Sequence, residues 1–420
     1  MRLSYTVRAC FPLFAKGSQP IAPEPISVSN CSVTMEEYGN LSLVARPNVR
    51  IVKERKHGMK IYFVEVESSE RQLFESDLAN HELHFVSGLE EIEADAEVVS
   101  TFIYSRIDGP FLDRHPAVKL IATRSTTHDH LELESCAKRH VTMCIVPSYG
   151  DHVVAEHTFA LLLAVARRLR KSMTLNDGSH FSYEALRGFE LRSKTFGIIG
   201  AGRIGLRTIP IARSFGMNVI AYDIRPRPEL TGGLGFRYVA FEELLAGSDI
   251  ISLHANLNPS SYHILNRGAF AKCRPGVVII NTARGKLIDT DALIEALDQG
   301  IIGGAGLDVL GDESVMRRRA ERIISEQIVK RVREPFARPR VARDPLRARE
   351  IEKLMRLGSL LLRPEVVCTP HTAFNCVEAI ERINRVTVEN IKAFVGGTPI
   401  NTLSSDIAPE RAETPTAVGS

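Results

Sequence analysis

The stretch FGIIGAGRIG, Phe196 to Gly205, leaves this chain few folds to choose from. Phe196 to Ile199 make a short buried strand. Gly200, Gly202 and Gly205 then fill a Gly-x-Gly-x-x-Gly spacing that turns directly into a helix beginning near Arg203 and Ile204. Gly200 permits the tight turn, Gly202 lets backbone approach a diphosphate, and Gly205 lets the helix pack close to the strand. The N–H groups at the helix N-terminus attract the phosphates. A second strand, Asn218 to Tyr222, ends in Asp223, eighteen residues past Gly205. A carboxylate there accepts hydrogen bonds from ribose hydroxyls and repels a 2′-phosphate. The unit therefore reads as an NAD site rather than an NADP site, with Arg225 and Arg227 as the residues that argue the other way.

The remainder of the chain repeats this strand and helix rhythm. Apolar runs at Ile61 to Val66, Leu83 to Val86, Val98 to Tyr104, Leu120 to Thr123 and Thr142 to Val146 predict one parallel sheet covered on both faces. Runs at 196–200, 218–223, 249–254, 277–281, 304–309 and 365–369 predict another. Between them His152 to Ser172 reads as one apolar-striped helix whose Arg167, Arg168, Arg170 and Lys171 suit a helix C-terminus. The fold class is α/β, with two doubly wound parallel-sheet domains. In such sheets ligands bind beyond the carboxyl ends of the strands. Gly200, Asp223, Asn256, Arg284, Glu313 and His371 all fall at or just past such ends.

Three of these residues supply anion binding and proton transfer. Arg284 offers a planar fork for a bidentate grip on a carboxylate and remains charged. His371, after Pro370, is a proton carrier, since an unperturbed imidazole titrates near about 6.5. Glu313 follows Arg284 by 29 residues, and its carboxylate, accepting a hydrogen bond from the His371 ring, would favour the imidazolium. Beside a nicotinamide these groups predict reduction of a 2-oxo acid: the arginine holds the carboxylate and the histidine protonates the nascent alkoxide. His128, His130, His152, His157 and His180 are read as surface or core residues.

Composition closes off other classes. With 420 residues, 44% of them apolar, the chain can build about two or three domains with sizeable cores. No apolar run approaches the roughly 20 residues that span a bilayer. Seven cysteines without a Cys-x-x-Cys pair give no zinc or disulfide framework and fit a reducing cytoplasm. A formal charge of +3 is too small to imply nucleic acid, although residues 314–364 hold 15 Lys and Arg against 6 Asp and Glu. That Arg-rich stretch reads as a solvated helical excursion over the cleft rim. An electrostatic funnel for anionic substrate and cofactor, or a partner or nucleic-acid contact, are the sharper alternatives, and the lack of an aromatic platform among those arginines weighs against single-strand binding. Residues 1–58, with five prolines, read as a disordered extension or a misassigned start, and 404–420 as a short polar tail.

Over nearly all of 59–403 the chain resembles the D-isomer-specific 2-hydroxyacid dehydrogenases, most of all their D-lactate dehydrogenase-like branch. The resemblance rests on VAEHTFALLLAVAR, LRGFELRSKTFGIIGAGRIG, VIINTARGKLIDTDAL, GAGLDV and VVCTPHTAFN in that order. It implies an NAD-dependent enzyme that reversibly reduces a small 2-oxo acid to the D-2-hydroxy acid, pyruvate first and hydroxypyruvate or glyoxylate next. Arg284, Glu313 and His371 would be its catalytic residues. It also implies a flavodoxin-like substrate domain from 59–153 and 371–403, a Rossmann NAD domain inserted at 154–370, and a homodimer through the helix near 152–172. The backbone of Thr126 and Thr127 would meet the substrate carboxylate, Tyr149 the substrate, and Phe374 its methyl side. Asp308 and the Thr282–Ala283 backbone would lie near the nicotinamide, and Asn256 joins the cofactor residues in place of a common proline. The chain departs from the branch at Thr127 and His128, where a glycine and an aromatic or aliphatic residue are common. Nicotinamide-sensing corepressors share this fold and the same three residues, so an NADH-sensing interaction protein is the alternative.

Overall fold

The structure, a computed structural model, describes residues 58–174, 184, 186–311 and 345–403. The first sheet contains β1 (Lys60–Val64), β2 (Glu82–Val86), β3 (Val98–Thr101), β4 (Leu120–Thr123) and β5 (Thr142–Cys144), all parallel in the order β2-β1-β3-β4-β5. Successive side chains of a strand point to opposite faces. Tyr62 and Val64 accordingly pack with Val99, Ile121 and Met143, whereas Ile61 and Phe63 pack with Val98, Leu120 and Ala122 on the other side. Burial on both faces is why these strands read as unbroken apolar runs. The C-terminal helix Val377–Val395 returns to this sheet, with Val388 and Ile391 in the same cluster as Ile61 and Phe63.

The second sheet contains β6 (Thr195–Ile199), β7 (Asn218–Tyr222), β8 (Arg237–Tyr238), β9 (Ile250–Leu253), β10 (Val277–Asn281), β11 (Ile302–Leu307) and β12 (Val366–Cys368), ordered β12-β11-β10-β9-β6-β7-β8. Counted from β6 this is the 3-2-1-4-5-6 dinucleotide-binding order with one strand added. The order reverses between β6 and β9, which opens a crevice at their carboxyl ends. Phe196, Ile198, Ile250 and Ile280 face one side, and Ile199, Ile251, Leu253 and Ile279 the other. The helix Val153–Ala166 lies directly on β11, so close that a Cβ on Gly306 would come within 2.9 Å of Leu161 Cβ. That approach explains the small residues of GAGLDV.

Several expectations need correction. The helix expected over 152–172 is two, Val153–Ala166 and Leu169–Thr174, parted at Arg168 with a φ of 49°. The Ala166 carbonyl accepts the Phe189 N–H at 3.0 Å, so a returning chain ends the first helix. The basic run does not cap it: Arg168 Nε donates to Arg187 O at 2.8 Å and Arg170 Nη1 to Val366 O at 2.7 Å. β3 stops at Thr101, which frees Phe102 and Tyr104 for the loop beyond it. β8 is a two-residue strand, too short to leave a periodic signal. Of the Arg-rich stretch, the described part includes the helix Pro345–Leu362, and it is packed rather than wholly solvated. Leu357 and Leu360 are buried, and Arg356 and Arg363 pair with Asp291 and Asp298. Glu313, His180 and the remainder of that stretch up to 344, together with residues 1–57 and 404–420, lie outside the described residues. Among the described residues no helix is long and apolar enough to cross a membrane, and no group of His, Cys, Asp and Glu could hold a metal.

Candidate active site

The loop after β6 is shaped around backbone. Gly200 has φ +95°, and a Cβ there would lie 2.6 Å from Ala255 N; at Gly205 it would lie 2.2 Å from Gly200 O. At Gly202, which caps the helix Arg203–Ser214, a Cβ would meet nothing within 4 Å. The helix N-terminus thus opens onto free space with its N–H groups outward, a cradle that fits a dinucleotide's phosphates. The Arg203 side chain turns aside to Asp151 at 3.4 Å, and Ile204 is half-buried. Asp223 ties the cradle to β7: its Oδ2 accepts the Ala201 N–H at 2.7 Å and its Oδ1 the Arg225 N–H at 2.8 Å. Arg227 Nη2 donates to Ala201 O at 2.8 Å. A carboxylate has about four acceptor sites, so Asp223 keeps capacity for ribose hydroxyls. Asp223→Ser is expected to shift the ratio of kcat/KM for NADH over NADPH toward NADPH by roughly tenfold, because the like charge facing a 2′-phosphate is removed. An unaltered ratio would exclude this residue from cofactor choice.

Two residues follow β9 at this crevice. Asn256 is exposed, and its carbonyl accepts from Ser261 Oγ at 2.6 Å. The imidazole of His254 is buried against Ser252 Oγ at 2.8 Å, and burial pushes its pKa down to about 3. An unfolded histidine takes up its proton near about 6.5, so the contribution to stability is complete above that value and is lost as pH falls toward the folded one. Acidification from pH 7 to 5 should remove about 2 kcal/mol through His254 alone. Urea midpoints at the two pH values check this, and His254→Gln should narrow the difference by about that much.

The other end of the site is built on β10. Asn281, buried, accepts the Ala283 N–H at 3.0 Å and donates from Nδ2 to Arg284 O at 2.9 Å, which fixes the turn. Thr282 is held through its hydroxyl to Thr158 Oγ1 at 3.0 Å. Arg284 projects into a cavity of about 370 Å³ that Thr127, Tyr104, Asp129, His130 and His371 also line. Its Nε donates to Asp129 Oδ2 at 2.7 Å, its Nη1 to Ala283 O at 2.7 Å, and its Nη2 to Thr127 Oγ1. The Thr127 N–H points to Ser125 Oγ at 3.1 Å, while the Thr126 hydroxyl turns away to Val146 O at 2.8 Å.

His371 stands on a loop wound around one buried acid. Asp308 is 1% exposed; its Oδ1 accepts from Thr369 Oγ1 (2.6 Å) and the Thr372 N–H (2.8 Å), and its Oδ2 from the Ala373 N–H (2.9 Å). The His371 N–H donates to Asp308 O at 2.8 Å. These bonds hold His371 at φ +56°, a left-handed conformation that a non-glycine residue keeps only under such constraint. The His157 Nε2 lies 2.9 Å from Thr369 Oγ1 and 3.5 Å from Asp308 Oδ1. Burial would raise the Asp308 carboxyl, but hydrogen bonds with His157, Thr369, Ala373 and Thr372 outweigh it and hold the pKa below the usual carboxylate value. The carboxylate expected beside the nicotinamide is thus directed at the histidine loop.

Aromatic rings close the other side. Phe374 lies 5.0 Å from Phe102, 6.4 Å from His371 and 6.5 Å from Tyr149, and Tyr104 lies 6.3 Å from His371, ring centre to ring centre. Burial pushes the Tyr149 hydroxyl up despite the nearby Arg284, so it is a donor at neutral pH. The structure therefore brings Arg284, Thr127, Tyr149, His371 and Phe374 to one end and the glycine loop, Asp223 and Asn256 to the crevice of the second sheet. Asp129, His130, His157, Phe102 and Tyr104 join the site without having been singled out for it. Asp129 and His130 follow the end of β4, where the strand-end rule could have found them. His157 sits on a helix and is reached only through space.

A family model described as D-isomer specific 2-hydroxyacid dehydrogenase, NAD binding domain, matches residues 159–373. The D-lactate dehydrogenase of Escherichia coli (strain K12) is 32% identical over 306 residues, 72% of this chain and 84% of that protein. A glyoxylate reductase of Thermococcus litoralis is 32% identical over 323 residues, 75% of this chain and 85% of its own length. Among solved structures, D-lactate dehydrogenase from Aquifex aeolicus, complexed with NAD and lactic acid, has a TM-score of 0.67 at 31% identity and covers 82% of this chain and 100% of its own.

Proposed function

The chain belongs to the D-isomer-specific 2-hydroxyacid dehydrogenases and is an NAD-dependent oxidoreductase, and from that premise we propose that it reduces a small 2-oxo acid, pyruvate before hydroxypyruvate or glyoxylate, to the D-2-hydroxy acid. The observation that carries this reading is the meeting of Arg284 and His371 in one cavity of about 370 Å³. The reduced cofactor, NADH, when bound, would supply a hydride to the carbonyl carbon and leave as NAD+. Arg284 holds the carboxylate, which a guanidinium does with direction as well as charge. His371 delivers the proton to the carbonyl oxygen and takes it back in the oxidative direction. Glu313, two residues beyond the cavity-lining Gly311, is assigned as the acid that favours the imidazolium. Phe374, set between Phe102 and Tyr149, walls the substrate's alkyl side and favours a short one.

The proposal extends to the assembly and the domains: a homodimer through the helix Val153–Ala166, with 59–153 and 371–403 as the substrate domain and 154–370 as the cofactor domain. The test is NADH oxidation against pyruvate, hydroxypyruvate, glyoxylate, phenylpyruvate and 2-oxobutyrate, with the chirality assigned of every product except the achiral glycolate. Turnover above about 1 s⁻¹ on pyruvate with a D-product is expected. NADH binding with no turnover on any of them would overturn the enzymatic assignment and favour the sensing role.

A further inference from the structure

We infer that Asp129 is an internal carboxylate that competes with the substrate's own carboxylate for Arg284. The inference rests on Arg284 being the substrate anchor, as proposed above. A guanidinium carries five N–H donors. Three are committed here, to Asp129 Oδ2, Ala283 O and Thr127 Oγ1. Nε and Nη2 share one edge of the guanidinium plane, an edge that can grip a carboxylate by two parallel hydrogen bonds. Asp129 and Thr127 place one oxygen on each of those nitrogens, much as the two oxygens of a bound carboxylate would.

Charge points the same way. Burial would raise the Asp129 carboxyl, but Arg284, by charge and by hydrogen bond, holds its pKa below the usual value. The acid is therefore ionised at any working pH and neutralises the cation that a substrate anion must use. The adjacent His130 is pushed down to about 4, chiefly by burial, and so stays neutral and lends no compensating charge. The pair is also able to open. The Asp129 side chain is 49% exposed against 22% for Arg284, and ion pairs of such exposure are weakly held. An arriving 2-oxo acid can therefore displace Asp129 into solvent, at a cost in affinity.

The pair also joins the two sheets, because Asp129 follows β4 and Arg284 follows β10. Opening it exchanges a contact within the protein for one with the substrate. Affinity for the anion is then set by the difference between two carboxylates on one guanidinium, rather than by the guanidinium alone.

The experiment measures oxamate binding to the NADH complex of the wild-type protein and of Asp129→Asn, by quenching of NADH fluorescence, with Asp129→Ser as a second variant. The NADH dissociation constant and the melting temperature are followed alongside. We expect oxamate to bind the variants roughly 3- to 30-fold more tightly. KM for the accepted 2-oxo acid should fall in parallel, without a matching rise in kcat. A residue that only shaped the loop would, when replaced, weaken oxamate or leave it unchanged. That result, with NADH still bound, overturns the inference and leaves the proposed reaction standing. If neither wild type nor variant binds oxamate while both bind NADH, Arg284 is not a carboxylate anchor, and the inference falls together with the proposed function.

Discussion

Replacing His371 by alanine is expected to lower kcat for 2-oxo acid reduction by about 10² to 10⁴, the usual worth of a positioned general acid. NADH binding should stay within about twofold, since the cradle around Gly200 and Asp223 is built on other strands. The backbone has to be considered in the design of the variant. His371 sits at φ +56°, where alanine is strained, while asparagine adopts that region more readily. His371→Asn should therefore show the same loss with the Asp308 hydrogen bonds to Thr372 and Ala373 kept. Steady-state turnover with the accepted 2-oxo acid measures both. Either variant within about threefold of wild type would remove the imidazole from the mechanism.

Arg284→Gln is expected to lower kcat/KM by about 10² to 10³, mainly through KM, as a charge-assisted two-point contact is lost. Removal of the guanidinium leaves Asp129 and the Thr127 hydroxyl without that partner. Both are only partly buried, so water can replace it and the fold should hold. Arg284→Lys keeps the charge without the fork, and an intermediate loss is expected. The check is a KM and kcat series for the three proteins, with NADH affinity measured separately. A loss of NADH affinity in Arg284→Gln at unchanged KM for the 2-oxo acid would move the residue out of the substrate site.

Much of the site was legible because the fold itself is periodic. An apolar run followed by a polar or glycine residue marks the carboxyl end of a parallel strand, and Gly200, Asp223, Asn256, Arg284 and His371 all stand just past such ends. The tight backbone at Gly205 was legible for a similar reason, since its close contact is with Gly200 O, five residues back, whereas the close approach at Gly200 is to Ala255, on the strand end beside it. Strand limits were less so. The apolar residues of Val98 to Tyr104 continue past Thr101, and only the end of pairing with β4 shows that Phe102 and Tyr104 belong to the cleft wall. The helix near 152–172 misled for a related reason. Its apolar stripe and basic tail suit one continuous helix, and the break is made by Phe189, whose N–H takes the Ala166 carbonyl.

What the amino-acid order determined by itself was what neighbours along the chain carry: the longer apolar strands, the phosphate turn, the acid after β7, and the arginine and histidine at strand ends. What only the tertiary structure decided was which side chains those residues meet. Arg284 and Asp129 are 155 positions apart, and His157 and Thr369 are 212 apart. No periodicity spans such intervals. The strand order of each sheet and the placing of one sheet against the other set these meetings, and their energies lie in hydrogen bonds a few ångströms long whose partners the chain brings together only when both sheets have formed.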